Sequence, residues 1–197
     1  VAVLLRMADV AYMMENYTAM SEVCDKALHL DTSNLQTYLY YAKACRGLGE
    51  PIRAVAVLSL AIKLREDYYA ARLLRGTILL ENHLLDDAAQ DADYLFTHLE
   101  PNEDVLLLKA RVLKAQEKMK EAEQVYGMVI EVNPFSLDAY RERSEVRTIL
   151  GDAAGAAEDE ASIKEMGAEV PEPSEGIEQK IKEKMQQMDP YKVFHNE

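Results

Sequence analysis

Residues 35–68 read LQTYLYYAKACRGLGEPIRAVAVLSLAIKLREDY. Tyr38, Tyr41, Ala42 and Cys45 are spaced three, one and three apart, which puts them on one face of a 3.6-residue helix. Gly47-Leu48-Gly49-Glu50-Pro51 interrupts that pattern. Glycine adopts the left-handed conformation that ends a helix, and proline at the first helical position loses no needed hydrogen bond. A second apolar stripe follows, made of Ala54, Val57, Leu58, Ala61, Ile62 and Leu64. The stretch predicts two helices joined by a short turn.

Steps of 34 residues from this stretch meet the same small side chains. One series is Ala8, Ala42, Gly76, Ala110 and Ser144; another is Met20, Ala54, Ala88, Ala122 and Ala156, with Met20 the exception. A fixed period of this length marks a stack of helical hairpins. Small residues let two antiparallel helices cross closely, and one hairpin alone cannot bury its apolar face, so neighbours must supply the rest of the core. The expected hairpins are 1–34, 35–68, 69–102, 103–136 and 137–170. Polar or proline-containing segments separate them: Leu30-Asp31-Thr32-Ser33-Asn34, Glu100-Pro101-Asn102 and Val132-Asn133-Pro134. The chain reads as all-α, and its 49% apolar content is ample for a core.

The 34-residue unit resembles the tetratricopeptide repeat, TPR. Ala27-Leu28-His29-Leu30-Asp31 and Val129-Ile130-Glu131-Val132-Asn133-Pro134 resemble the end of its second helix, and Arg75-Gly76 with Asp91-Ala92 resembles a common variant. The resemblance covers residues 1–170. Departures are Met20 in a small slot, Glu160 at a usually apolar one, and missing aromatics at the fourth position of most units. The resemblance implies a right-handed superhelical solenoid of antiparallel hairpins whose first helices line a concave groove. It also implies a protein-interaction scaffold or adaptor.

Under that resemblance the fifth residues of the units face the groove: Leu5, Leu39, Leu73, Leu107 and Arg141. Four leucines in register would form an apolar floor. Tyr12 belongs to the same face. Lys43 and Arg46, and again Arg111 and Lys114, stand three apart and form a local basic stripe in an otherwise acidic chain. Such a stripe would steer in an acidic, partly apolar peptide. The carboxylate clamp that some TPR proteins use on chaperone tails is absent, since Leu5, Asp9, Tyr40, Ala70 and Leu74 stand at its positions.

A net charge of −13 argues against nucleic acid as a partner. No apolar run is long enough to span a bilayer. No cofactor or metal site is expected, because His29, His83, His98 and His195 lack metal-ligand spacing and no phosphate-binding loop follows a strand. The carboxylates are expected at exposed helical positions, so no catalytic role is assigned. Cys24 and Cys45 read as small core residues, with a disulfide between them left open. Asn16-Tyr17-Thr18 matches the N-glycosylation pattern, which matters only in a secretory protein.

Over 171–197, Pro171-Glu172-Pro173-Ser174-Glu175-Gly176 predicts a break. Ile177, Ile181, Met185 and Met188 then predict a C-terminal capping helix ahead of an extended tail. Docking of this segment in a groove, in cis or on another copy, is an alternative that gives autoinhibition or a homodimer. A third reading is the accessory region of a larger enzyme. The chain starts with Val and not Met, so an upstream segment is expected and the compartment is open, the cytoplasm being slightly favoured.

Overall fold

The computed structural model describes residues 1–167 together with Gly176, Gln179 and Lys180. Residues 1–167 hold ten α-helices: α1 (Ala2–Met13), α2 (Tyr17–Leu30), α3 (Leu35–Gly47), α4 (Pro51–Leu64), α5 (Tyr69–Glu81), α6 (Leu85–His98), α7 (Glu103–Ala115), α8 (Met119–Val132), α9 (Leu137–Leu150) and α10 (Ala153–Glu165). Successive helices pair as hairpins, α1 with α2 through α9 with α10. The chain divides into two compact bodies, Val1–Glu100 and Pro101–Glu197. The break, helix and tail expected over 171–197 lie outside the described residues, apart from the three named, which are helical. Lys180 Nζ lies 3.2 Å from the Glu117 carboxylate.

The turn within each hairpin has one construction. Glu15, Gly49, His83, Glu117 and Gly151, each 34 residues after the last, all have positive φ, between 54° and 85°. The next residue donates its N–H to the carbonyl five positions back, as Glu50 does to Cys45 at 2.8 Å and Asp152 to Arg147 at 2.9 Å. This is the Schellman closure, which satisfies helix-end carbonyls. Only two of the five positions are glycine. Left-handed backbone costs a side-chain-bearing residue about 1–2 kcal/mol, and glycine's larger unfolded entropy offsets about 0.5–1 kcal/mol of the relief. Glu117→Gly is therefore expected to stabilise by up to about 1 kcal/mol and Gly49→Ala to destabilise by about as much. Urea melts of the two variants check both signs. Gly47 has a different role. It is helical, and a Cβ there would overlap the ring of Tyr17.

Side-chain caps start several helices. Asn16, Asn34, Asn102, Ser136 and Asp152 each accept an N–H from the residue three ahead. Asn16, within the glycosylation pattern, is thus a helix cap.

Both small-residue series are buried throughout, including Met20. In Val1–Glu100 the core gathers Met20, Cys24, Leu58 and Ile78; in Pro101–Glu197 it gathers Leu106, Tyr126 and Val129. Cys24 and Cys45 are free and buried. Burial, helped by the charge of Asp25, pushes the Cys24 thiol up to about 12. Leu64 departs from the expected stripe. It is 54% exposed because it ends α4, past the helix crossing.

The expectation of solvated carboxylates is corrected at two sites. Asp91 and Asp159 are each 1% exposed. Arg75 donates from Nε and Nη2 to the two oxygens of Asp91, both at 2.7 Å, and from Nη1 to Ser59 at 2.9 Å. Arg72 stands 3.6 Å from the same carboxylate, its guanidinium 3.7 Å from the Tyr94 ring centroid. Arg143 grips Asp159 the same way, at 3.0 and 2.6 Å, with Arg147 joining at 3.2 Å. These forks supply the paired donors that make a buried carboxylate tolerable. The two pairs sit at the same repeat positions, 16 residues apart in each case.

Candidate functional site

The helices that open each hairpin carry the residues expected to line a groove. Within Val1–Glu100, Leu5, Leu39 and Leu73 are half-buried, and Leu39 also packs against the core. Tyr12 is exposed and meets Tyr17 edge-on at 6.4 Å. Lys43 Nζ lies 5.3 Å from the centre of the Tyr12 ring and 5.8 Å from that of Tyr40, within cation–π range of both. The Tyr40 hydroxyl donates to Asp9. That bond, together with burial, raises the pKa of Tyr40. Arg46 donates from Nε to Glu81 at 3.0 Å, with a second close contact between the two groups.

Within Pro101–Glu197, Leu107 is buried in the core and offers little floor to a ligand. Arg111 donates to Glu142 at 2.8 and 2.6 Å and to Asp138 at 2.8 Å. Burial works against its charge, but the hydrogen bonds and charges of Glu142 and Asp138 win and raise its pKa further. Lys114 pairs with Glu145. Arg141 is half-buried, and its Nε is buried without a hydrogen-bond partner among the described residues.

The basic stripe is therefore corrected in one respect. Arg46, Arg111 and Lys114 are present on these helices, but each is neutralised by a carboxylate of the following first helix. Three contacts share one spacing of 31 residues: Asp9 with Tyr40, Arg111 with Glu142, and Lys114 with Glu145. A position on one helix thus faces the position three earlier on the next. Opposite charges 31 apart were the available signal for Glu142 and Glu145. Lys43 has no carboxylate partner among the described residues. Among those residues there is also no group of three or more His, Cys, Asp or Glu placed to hold a metal, and no helix long and apolar enough to cross a membrane.

A scan against protein-family models finds no match, and no curated protein is significantly similar. Solved structures are similar in fold. MamA from Desulfovibrio magneticus RS-1 superposes with a TM-score of 0.77 at 14% identity, covering 84% of this chain and 94% of its own. A tetratricopeptide repeat protein from Parabacteroides merdae gives 0.73 at 20% identity, covering 94% of this chain and 72% of its own. YrrB, described as a TPR protein with an unusual peptide-binding site, gives 0.64 at 19% identity, covering 74% and 75%. Five helical hairpins with small residues at their crossings, a left-handed residue in every turn and these structural neighbours together give the chain the tetratricopeptide repeat fold.

Proposed function

We propose that this protein is an interaction scaffold that receives a peptide segment on the first helices of the hairpins of Val1–Glu100, with Lys43 as the main charged anchor. The supporting observation is that Lys43, alone of the four cations expected to form the stripe, is held by two aromatic faces and no carboxylate among the described residues. An ammonium so placed is oriented but not neutralised, and can still take a partner carboxylate. Leu5, Leu39 and Leu73 with Tyr12 supply apolar contact around it. Leu107, Arg111, Lys114 and Arg141 belong to the corresponding helices of Pro101–Glu197. There, paired charges favour shape and register over net attraction. The ligand is then an apolar segment with one acidic side chain, a narrower class than an acidic peptide. A protein of the same fold, YrrB, carries a peptide-binding site by its description.

Phage-displayed random 12-residue peptides panned on the whole chain supply the probe. Selected peptides should share one Asp or Glu flanked by apolar residues. Lys43→Gln should weaken the best of them about tenfold, the size of one charge-assisted contact. Arg46→Gln should change it less than threefold. Equal loss in the two variants, or none in either, sinks the assignment. Reversing all four cations is a poor test, because acids at 111 and 114 would face Glu142 and Glu145 inside the fold.

A further inference from the structure

A cavity of about 320 Å³ opens in Val1–Glu100 among α4, α5 and α6, where Val55, Arg72, Arg75, Leu79, Asp87 and Asp91 line it. Arg75 is fully engaged, since all three of its nitrogens donate to Asp91 or Ser59. Arg72 is not. Its side chain is 12% exposed and its guanidinium lies over the Tyr94 ring. Among the described residues that guanidinium makes one hydrogen bond, from Nε to the Glu66 carbonyl at 3.3 Å. Nη1 stops 3.6 Å from Asp91, too long for a hydrogen bond, and Nη2 donates none among those residues. Holding a charged group this far out of water with idle donors is costly. Helix packing does not require a cation there, because Leu4, Tyr38, Leu106 and Tyr140 occupy the same repeat position.

We propose that this cavity is a binding site for a carboxylate, received by Arg72, with a short alkyl chain lying against Val55 and Leu79. The second buried fork shows what is missing. There Arg147 is the second arginine on Asp159, and Glu123 at 2.9 Å and the Gly155 carbonyl at 3.0 Å satisfy it. Two units earlier, the positions of Glu123 and Arg147 are held by Val55 and Leu79. Around Asp91 the extra carboxylate is thus absent, an apolar wall stands in its place, and the second arginine, Arg72, enters from the other side of Arg75. A ligand carboxylate would supply what Glu123 supplies, and the planar fork of an arginine matches it. Charge narrows the class. Arg72 and Arg75 are balanced by Asp91 and Asp87, so a dianion meets two carboxylates with no surplus of positive charge, whereas a monoanion needs only the idle N–H groups. The carboxylate is that of a free short-chain acid or of an acidic side chain on a partner, which share this chemistry. Lys43 does not line the cavity, so the inference stands apart from the peptide site.

Butyrate titrated into the whole chain at constant ionic strength, followed by NMR of the arginine Nε–H and valine methyl groups, is the test. The Nε–H signal that Arg72→Leu removes should shift saturably, with a dissociation constant of roughly 1–10 mM. The Val55 methyl signals should move with it in the parent and stay in place in Arg72→Leu. That variant should keep its far-UV circular dichroism, because leucine already stands at this repeat position in two other hairpins. Val55→Glu puts a carboxylate into the cavity from the position Glu123 holds, and should weaken butyrate by about tenfold or more while the chain stays folded. Sulfate, a dianion, should bind about tenfold more weakly than butyrate. Glutamate capped as N-acetyl N-methylamide separates the two sources: binding like butyrate assigns the site to a partner's side chain, and failure beside bound butyrate assigns it to a free acid. No shift at Arg72 with butyrate, a Val55→Glu chain that binds as the parent does, or sulfate binding more tightly than butyrate overturns the proposal.

Discussion

Replacing Asp91 by Ala is expected to destabilise Val1–Glu100 by about 3–5 kcal/mol, the cost of stripping one partner from a buried ion pair. Asp91 is the shared acceptor for Arg75 and Arg72, and its removal leaves two guanidiniums facing a space with too few acceptors. The pair itself is not what makes the fold stable. At the same two repeat positions the second hairpin has Tyr41 and Val57, both buried. Side chains without charge thus fill the same place there. The double replacement Arg143→Met with Asp159→Val should therefore fall within about 1 kcal/mol of the parent, since swapping a whole buried pair for apolar residues is often neutral. Arg147 tolerates the loss because Glu123 remains 2.9 Å away and the Gly155 carbonyl 3.0 Å away. The corresponding double variant at 75 and 91 should cost more, because among the described residues Asp91 is the only carboxylate ion-paired with Arg72. The chain has no Trp, so urea melts followed by far-UV circular dichroism are the suitable readout. An Asp91→Ala midpoint within 1 kcal/mol of the parent would refute the account.

The same residues show what could be read from sequence. Hairpins, crossing residues and caps were legible because each is set within a few residues of chain: apolar spacing makes the helix, Ala or Gly lets it cross, and Asn or Asp starts it. The left-handed turn position was only partly legible. Gly49 and Gly151 announce it, but Glu15, His83 and Glu117 do not, because there the closing geometry overrides residue preference. The buried carboxylates were missed by treating each Asp singly, when Arg75 to Asp91 and Arg143 to Asp159 repeat one separation two units apart. The four cations were legible as a set of helix positions and illegible as a potential. Lys43, Arg46, Arg111 and Lys114 read alike on their own helices. What separates them is the neighbouring helix, which brings Glu81, Glu142 and Glu145 to three of them.

The Tyr126–Glu142–Arg111 cluster should behave as one unit in Pro101–Glu197. Tyr126 on α8 is fully buried and donates its hydroxyl to Glu142 on α9 at 2.6 Å, while Arg111 on α7 donates to the other carboxylate oxygen of Glu142. One carboxylate thereby ties three helices. Tyr126→Phe is expected to cost about 1.5–3 kcal/mol, the range for a hydrogen bond to a charged group. Glu142→Ala should cost roughly 2–4 kcal/mol, mostly from the orphaned hydroxyl; the arginine suffers less because it is over a third exposed and keeps Asp138. If the cluster is coupled, Tyr126→Phe should have little further effect once Glu142 is Ala, and strict additivity in the double-mutant cycle would refute the coupling. Alkaline pH gives an independent reading. Burial first, then the Glu142 charge and the hydrogen bond to it, raises the pKa of the Tyr126 hydroxyl above the ordinary tyrosine value. A group whose folded pKa is raised contributes stability that is whole below its unfolded pKa, about 10, and is lost as pH climbs above that. Stability should accordingly fall above pH 10 in the parent. Tyr126→Phe should flatten that decline, leaving the share owed to other buried groups such as Tyr41, whose hydroxyl burial and Asp25 push up to about 12. An unchanged alkaline slope in Tyr126→Phe would mean that this hydroxyl ionises in the folded protein and that Glu142 does not hold it.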